Sequence, residues 1–171
     1  MEKTIEREFS QQILDNAGII FRICRIYRKD ISDQQDLYQE IVLNAWQSYL
    51  RFEKRSKFST WLYRVALNTA LYQNRKNKFF GKTIGLEFIE NRYFKESDNE
   101  QIGVLQYAIN KLDPIEKSIV ALYLDDLPYK EISDITGLTE SNVGVKLNRI
   151  KIKLKKYIDE HGAWRFKKNM D

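Results

Sequence analysis

The chain has 171 residues, of which 43% are hydrophobic and 31% are charged, and its formal net charge is +5. This composition predicts a globular protein with a packed core, and the positive charge favours a polyanionic partner such as nucleic acid. The single cysteine, Cys24, and the single histidine, His161, exclude a disulfide framework and leave a metal site or catalytic triad without its usual partners. We therefore expect no catalytic residue, no metal site and no cofactor.

The N-terminus is charged and lacks the apolar core of a signal peptide, and no stretch approaches the roughly 20 apolar residues that span a bilayer. The sequence thus predicts a cytoplasmic protein with no membrane insertion. Helical periodicity runs through most of the chain. The predicted fold class is all-α, with two small helical domains joined by a linker, and the C-terminal domain contains a helix-turn-helix.

The first half of the chain predicts three helical segments. The first segment has one apolar face, formed by residues at steps near three, four and seven: Phe9, Ile13, Ile20, Cys24 and Tyr27. A second helix is expected to be capped by Ser32 or Asp33, and a third by Ser59. Residues 51–57, between these two helices, are polar and basic and predict a loop.

The helical period disappears between about residue 78 and residue 99, where the segment contains two glycines and several aromatic residues. We interpret this segment as an interdomain linker. The predicted organisation is a first domain over residues 1–78, a linker over 79–99, a second domain over 100–160 and a tail over 161–171.

The second half contains the pattern of a helix-turn-helix. It is preceded by the segment DPIE at residues 113–116, which combines an N-cap, a proline at the first helical position and a glutamate, a strong helix-start signal. Further along, the small residue Ser133 is followed by Gly137, which accepts the positive φ of a turn, and by Val143, which is expected to seat the second helix. Thr139 is the predicted cap of that helix.

The helix after this turn is strongly basic. It carries six cations and no acid between residues 142 and 157: Lys146, Arg149, Lys151, Lys153, Lys155 and Lys156. A solvated helix more often mixes charges of both signs, so DNA binding is favoured, although a basic solvent face also fits. The first turn of a recognition helix enters the major groove, which gives five candidate base readers: Glu140, Ser141, Asn142, Val145 and Lys146. Arg149 and Lys153 lie further along and are expected to contact phosphates.

Two stretches carry a resemblance to a known family. DQQDLYQEIVLNAWQSY followed by KFSTWLYRVALNTALYQNRK resembles region two of bacterial RNA polymerase sigma factors, and LDPIEKSIVALYLDDLPYKEISDITGLTESNVGVKLNRIKIKLKK resembles region four. The short chain, with two such regions and a linker, is similar to the extracytoplasmic-function class of these factors. The resemblance implies core RNA polymerase and promoter DNA, duplex and single-stranded, as partners, with an anti-sigma factor as a further candidate.

The resemblance also implies where the polymerase binds. Asp36, Gln39 and Glu40 match the family motif that docks on a coiled coil of the polymerase's largest subunit. By their spacing alone, Asp33, Asp36 and Glu40 form an acidic stripe on one helix face. Ordinary solvated carboxylates are an equally good interpretation of that stripe.

The third helix carries a candidate surface for single-stranded DNA, formed by Trp61, Arg64, Asn68 and Arg75. This set combines cations for phosphates, a polar group for base edges and an aromatic face for stacking. The family uses the corresponding surface to capture unpaired bases of the minus-ten promoter element. Two structural interpretations stay open: Trp61 as a core residue, and Asn68 as a hydrogen-bond partner of a neighbouring helix.

The expected function is therefore that of a sigma factor that directs core polymerase to promoters and assists DNA opening, with the last helix reading the minus-thirty-five element. One alternative is a stand-alone helix-turn-helix regulator. Another is a DNA-processing enzyme with Asp33, Asp36 and Glu40 around a metal, although these carboxylates come from a single element. Gly144, one turn into the recognition helix, costs about 1 kcal/mol of helix stability, and close approach of the backbone to DNA is its candidate reason.

Overall fold

A computed structural model of the chain describes residues 2–79 and 100–168, with side chains described for residues 3–76 and 103–160. The described residues form eight α-helices and no strand: α1 Glu2–Asp15, α2 Ala17–Tyr27, α3 Ile31–Tyr49, α4 Phe58–Phe79, α5 Glu100–Asn110, α6 Pro114–Leu124, α7 Tyr129–Thr136 and α8 Glu140–Lys168. The predicted all-α fold is confirmed. Most of the predicted linker and the last three residues of the predicted tail lie outside the described residues.

The first predicted segment is two helices, α1 and α2, rather than one. They meet at Asn16, whose side-chain amide donates a hydrogen bond to the carbonyl of Gln12 at 2.9 Å. An asparagine side chain that bonds to the backbone competes with the helical ladder, which accounts for the break. Cys24 lies on the buried face of α2, and burial raises the pKa of its thiol to about 11.

Two of the predicted caps were wrong. Helix α3 follows Asp30, whose side chain makes no capping hydrogen bond, so that Ser32 and Asp33 both lie inside the helix. Ser59 likewise lies inside α4, as its second residue. The loop predicted at residues 51–57 is confirmed, since these residues separate the two helices.

The helix starts predicted in the second half are confirmed. The Asp113 side chain accepts hydrogen bonds from the backbone N–H groups of Ile115 and Glu116, at 2.9 and 2.8 Å, and Glu116 completes a capping box by accepting from the Asp113 N–H. Ahead of α8, the Thr139 hydroxyl accepts from the backbone N–H of Asn142 at 3.2 Å. Such caps satisfy donors that have no partner within the helix.

Helices α7 and α8 form the predicted helix-turn-helix. Gly137 ends α7 with φ of 74°, a left-handed conformation that glycine adopts without strain. The Ser133 hydroxyl donates to the carbonyl of Leu138 at 2.6 Å and so ties α7 to the turn. Val143 is fully buried, as expected of the residue that seats the second helix.

The two halves of the molecule pack against each other. Helices α2 and α4 contact α6, and α4 also contacts α7; we call this contact the seam. Buried apolar residues from both halves belong to one continuous cluster. The seam therefore buries part of the surface of α2, α4, α6 and α7, and only their remaining faces are accessible to a partner.

Candidate polymerase and nucleic-acid interfaces

Helix α3 presents an acidic face to solvent. Its buried side is the stripe Leu37, Ile41 and Ala45, which packs into the core. Four polar side chains are exposed on the other side and form what we call the acidic face: Asp33, Asp36, Gln39 and Glu40. Among the described residues, Asp36, Gln39 and Glu40 have no hydrogen-bond or ion-pair partner. The two carboxylates and the amide are thus available to a second molecule.

The acidic face continues into an apolar residue that sequence reasoning missed. Leu43 follows Glu40 by three positions, which places it on the same side of α3, and its side chain is 49% exposed. The spacing of four and then three residues, from Asp36 to Glu40 and from Glu40 to Leu43, could have identified Leu43 from the sequence. An exposed leucine beside unpaired carboxylates supplies contact area in addition to charge.

Trp61 lies at the edge of an aromatic cluster. Its ring centroid is 4.9 Å from that of Phe52, 5.2 Å from that of Phe58 and 6.2 Å from that of Tyr49. The side chain is half-buried, so part of the indole supports the core and part remains open to solvent. The core interpretation of Trp61 is thus confirmed in part, and its contact with DNA stays a prediction.

The other candidate residues of α4 are exposed, and one exposed residue that was not predicted lies on the same side of the helix. Asn68 and Arg75 lie in solvent with no hydrogen bond to another described residue. Tyr72, four residues after Asn68, is 68% exposed and adds an aromatic ring to the same side. We call the resulting row the α4 stripe: Trp61, Arg64, Asn68, Tyr72 and Arg75.

Arg64 differs from the rest of the α4 stripe because it has a partner in the other half of the chain. Its Nε and Nη2 atoms both donate to the backbone carbonyl of Asp134 in α7, at 2.8 and 2.5 Å. That carbonyl lies near the C-terminal end of α7, where the helix dipole favours a cation. A residue predicted to contact DNA is therefore hydrogen-bonded to the second half of the chain.

The start of α8 is exposed and free of such contacts. The five predicted base readers and Arg149 lie in solvent, and none of their side chains forms a hydrogen bond with another described residue. Lys153 differs, because its ammonium group is ion-paired with Glu116 of α6. This hydrogen-bonded carboxylate raises the pKa of Lys153. Lys151 is held in a similar way, because its ammonium group donates to the Tyr123 hydroxyl of α6 at 3.0 Å. The cations nearest the turn, Lys146 and Arg149, are thus free, whereas Lys151 and Lys153 are bonded to α6.

Gly144 has a packing partner inside the protein. A Cβ atom at this position would lie 3.4 Å from the ring of Tyr129, at the start of α7. This is an ordinary van der Waals distance, so the Tyr129 ring would accommodate a methyl group at this position. The internal packing therefore does not require the glycine, and the approach of the backbone to DNA stays a prediction.

A charged cluster closes the middle of the seam. Asp125, at the end of α6, lies 2.6 Å from Nε of Arg22 and accepts a hydrogen bond from the hydroxyl of Tyr63 at 2.5 Å. Burial, together with the bond to this carboxylate, raises the pKa of Tyr63 to about 12, so the phenol remains a donor at neutral pH. One carboxylate thus holds α2 and α4 together against α6.

Two further contacts flank this cluster. On one side, the Tyr27 hydroxyl lies 2.5 Å from the hydroxyl of Ser118 and 2.6 Å from the carbonyl of Pro114, both in α6. On the other side, Lys57 forms an ion pair with Glu131 of α7 at 2.9 Å. The seam is therefore bonded along its length by polar groups.

The comparisons with known proteins match both halves of the chain. The family model described as Sigma-70 region 2 matches residues 13–80, and that described as Sigma-70, region 4 matches residues 102–154. The ECF RNA polymerase sigma factor SigW of Bacillus subtilis is 25% identical over 154 residues, 81% of this chain and 82% of that protein. The RNA polymerase sigma factor SigV of the same organism is 28% identical over 138 residues, 80% and 82% of the two chains. The chain belongs to the extracytoplasmic-function class of sigma factors.

A solved structure supports the fold of this sigma factor. The sigma factor RpoE, in complex with the anti-sigma factor NepR from Bartonella quintana, matches 90% of this chain and 98% of its own with a TM-score of 0.71. The two sequences are 16% identical, so this likeness shows the fold. In the described part of our chain, no helix has both the length and the apolar character to cross a membrane, and no three metal-binding side chains are grouped.

As a member of this class, the protein directs core RNA polymerase to promoters during transcription initiation. Sigma factors are initiation factors and not catalysts. A stand-alone helix-turn-helix regulator is not favoured, because it would leave the match over residues 13–80 without a role.

Proposed function

We propose that this sigma factor acts in the cytoplasm by binding alone, with no chemistry of its own, through three separate faces. The acidic face of α3 holds core polymerase, the α4 stripe binds the unpaired minus-ten strand, and the start of α8 reads the minus-thirty-five element as duplex. Two weak DNA contacts on one chain reinforce each other, because the first raises the effective concentration of the second. Its relative RpoE was solved with an anti-sigma factor, and we include a regulator of that kind among the partners.

The acidic face carries this proposal. Carboxylates that serve the fold are usually paired, whereas Asp36 and Glu40 are exposed and unpaired within the described residues, next to the exposed Leu43. A basic partner surface would complement these charges, and the leucine would add apolar contact at its centre. Core polymerase is the partner that the family implies for this position.

Two features of α4 support single-strand binding. Bases flipped from the duplex need aromatic faces to stack on, and both Trp61 and Tyr72 offer one. Asn68 lies between them with its amide free to donate and accept hydrogen bonds on a base edge. Because these groups reach bases only after unstacking, α4 would act at the opening step rather than at first attachment.

The start of α8 suits duplex readout. Its first turn is exposed and directly follows the Gly137 turn, as in a recognition helix that enters the major groove. Asn142 and Lys146 can hydrogen-bond base edges there, and the Val145 side chain can contact a thymine methyl group. Arg149, one turn further along, is placed for a phosphate.

Charge reversal on α3 tests the proposal. Asp36→Lys with Glu40→Lys would place like charges against a basic partner and leave its cations unpaired, so we expect association with core polymerase to weaken by several kcal/mol. The measurement is co-purification and fluorescence-detected binding of the full-length protein to core polymerase. Duplex DNA binding through α8 should persist.

The matched control is Glu6→Lys with Asp159→Lys. Both of these carboxylates are exposed, and neither has a hydrogen-bond or ion-pair partner among the described residues. The control therefore makes the same change in net charge at positions away from α3. The control should bind polymerase like the unmodified protein. Equal binding by both double variants would rule out α3 as the docking element.

A further inference from the structure

Three cations lie close together where the end of α2 meets the start of α6. Arg28 and Lys29 directly follow α2, and Lys117 is the fourth residue of α6. The Tyr27 hydroxyl joins the two helices by donating a hydrogen bond to the Pro114 carbonyl at 2.6 Å. Lys117 follows Pro114 by three positions and so lies on the same side of α6. We call Arg28, Lys29 and Lys117 the cation cluster.

No carboxylate neutralises the cation cluster. Among the described side chains, none of its three members forms an ion pair. The Arg28 guanidinium donates instead to the uncharged amide oxygens of Asn74, at 2.7 Å, and Gln73, at 3.0 Å, near the end of α4. Asp33 is the carboxylate whose charge acts on Arg28, but it makes no direct contact with the guanidinium. The positive charge of the cluster therefore remains uncompensated.

Lys117 lies where a cation is disfavoured. It is half-buried, and its burial, together with repulsion from Lys29 and Arg28, lowers its pKa. The first turn of a helix also carries partial positive charge. The two carboxylates of this turn, Asp113 and Glu116, are engaged in the capping box. A partly buried group of like charges is costly, and a bound anion would offset that cost.

The chemistry of the cluster suits a phosphate group. An arginine supplies a planar set of N–H donors, and a lysine supplies a compact charge with three donors. The bonds of Arg28 to the Tyr27 carbonyl, Asn74 and Gln73 use three of its five N–H groups. Two N–H groups of the guanidinium thus remain for a ligand, beside the two ammonium groups.

The position of the cluster favours a small ligand over a DNA strand. Gln73 follows Asn68 of the α4 stripe by five positions, which places it well round the helix from the stripe. Its bond to Arg28 shows that this side of α4 faces the end of α2. A strand bound along the α4 stripe would therefore lie on the other side of α4.

We propose that the cation cluster is a binding site for a small phosphorylated molecule, held by the two ammonium groups and the free N–H groups of Arg28. The cluster shares no residue with the acidic face, the α4 stripe or the start of α8. The inference therefore goes beyond the proposed function, and neither depends on the other. A ligand held by residues of both α2 and α6 would stabilise the folded chain.

The first test uses sodium pyrophosphate as the probe and the full-length protein. Thermal unfolding is followed with pyrophosphate and with sodium chloride at the same ionic strength, and isothermal titration calorimetry gives the affinity. At saturating pyrophosphate we expect the melting temperature to exceed that in sodium chloride by at least about 3 °C. Equal melting temperatures in the two salts, with no heat of binding, would overturn the proposal.

The second test removes two of the three cations. Lys29→Ala with Lys117→Met, which keeps an apolar side chain in the half-buried position, should weaken pyrophosphate binding at least about tenfold. The control is Lys3→Ala with Lys130→Met, which makes the same change of net charge at exposed lysines without a partner among the described residues. It should bind pyrophosphate like the unmodified protein. An equal loss in the control, or no loss in the cluster variant, would place the anion elsewhere and overturn the proposal.

Two further measurements address folding and the source of the phosphate. Lys117→Arg keeps the charge and should retain most of the affinity, whereas a loss as large as that of the cluster variant would indicate a structural role for Lys117 alone. A fluorescein-labelled single strand, measured by anisotropy, should bind the cluster variant and its control equally. A cluster variant that loses strand binding, in a protein that does not bind pyrophosphate, would show that the cluster contacts DNA and would refute a small-molecule site.

Discussion

The α4 stripe and the start of α8 are two candidate DNA surfaces built in different ways. Helix α8 is seated from behind by buried residues such as Val143, and its readers project into solvent without internal partners. The α4 stripe instead shares its residues with the fold, since Trp61 packs in the aromatic cluster and Arg64 bonds to α7. The comparison teaches that the exposed readers of α8 can be altered with little effect on the fold, whereas changes to Trp61 or Arg64 in α4 would also remove contacts within the protein.

The largest expected difference lies within the α4 stripe. Trp61→Ala would remove contacts to three neighbouring rings and should lower the free energy of unfolding by about 2–4 kcal/mol. Asn68→Ala removes an exposed side chain from a helix and should change the free energy of unfolding by less than about 0.5 kcal/mol. Urea unfolding followed by circular dichroism measures both.

Trp61→Phe is the matched variant, since it keeps an aromatic ring in the cluster. It should recover much of the stability lost in Trp61→Ala. If Trp61→Ala were as stable as Asn68→Ala, the indole would have no structural share, and the contrast between α4 and α8 would disappear.

A smaller difference is expected along α8, between a free cation and a paired one. Arg149→Ala should weaken binding to any duplex by about 1 kcal/mol and reduce the salt slope by about one charge. Lys153→Ala should cost less, because Lys153 must first leave Glu116 to reach a phosphate. Fluorescence anisotropy at several salt concentrations measures both quantities.

Glu116→Gln sharpens this test. Glutamine can keep the capping box while losing the charge that holds Lys153, so duplex affinity should rise slightly. Equal losses from Arg149→Ala and Lys153→Ala, with no effect of Glu116→Gln, would show that the ion pair does not restrain Lys153.

The smallest expected effect concerns Gly144. Replacement by alanine should stabilise α8 by about 0.5–1 kcal/mol, because the new methyl group makes an ordinary contact with the Tyr129 ring and the helix loses a flexible residue. Thermal unfolding measures the gain, and duplex binding should be retained. A more stable variant that no longer binds duplex would instead support the interpretation that the glycine lets the backbone approach DNA.

Local stereochemistry explains which features could be predicted from the sequence. The turn at Gly137, the cap at Thr139 and the burial of Val143 depend on residues within about ten positions of one another. The helix break at Asn16 was not predicted, because asparagine is only a moderate helix breaker. The break depends on the hydrogen bond from the Asn16 side chain to the Gln12 carbonyl, which the sequence does not reveal. The caps expected at Ser32 and Ser59 fit the sequence pattern equally well, but each helix begins earlier.

The seam could not be predicted, because its contacts join residues far apart in the chain. Asp125 belongs to the segment DDLP, which reads simply as a helix end, yet its partners Tyr63 and Arg22 lie 62 and 103 residues away. Nothing in the periodicity of α4 distinguishes Arg64, which is bonded across the seam, from Arg75, which is exposed. The α4 and α8 candidates could be named from sequence, but the bond between Arg64 and α7 depends on tertiary packing.

The buried thiol of α2 gives the molecule a built-in chemical reporter. Burial raises the pKa of the Cys24 thiol to about 11, so the thiol is protonated at neutral pH, and the sulfur is also covered by the core. A maleimide dye can therefore react with Cys24 only after a local opening has exposed α2. The rate of this reaction measures the free energy of that local opening. Cysteines introduced on the surface for labelling would react long before it, without Cys24 having to be removed.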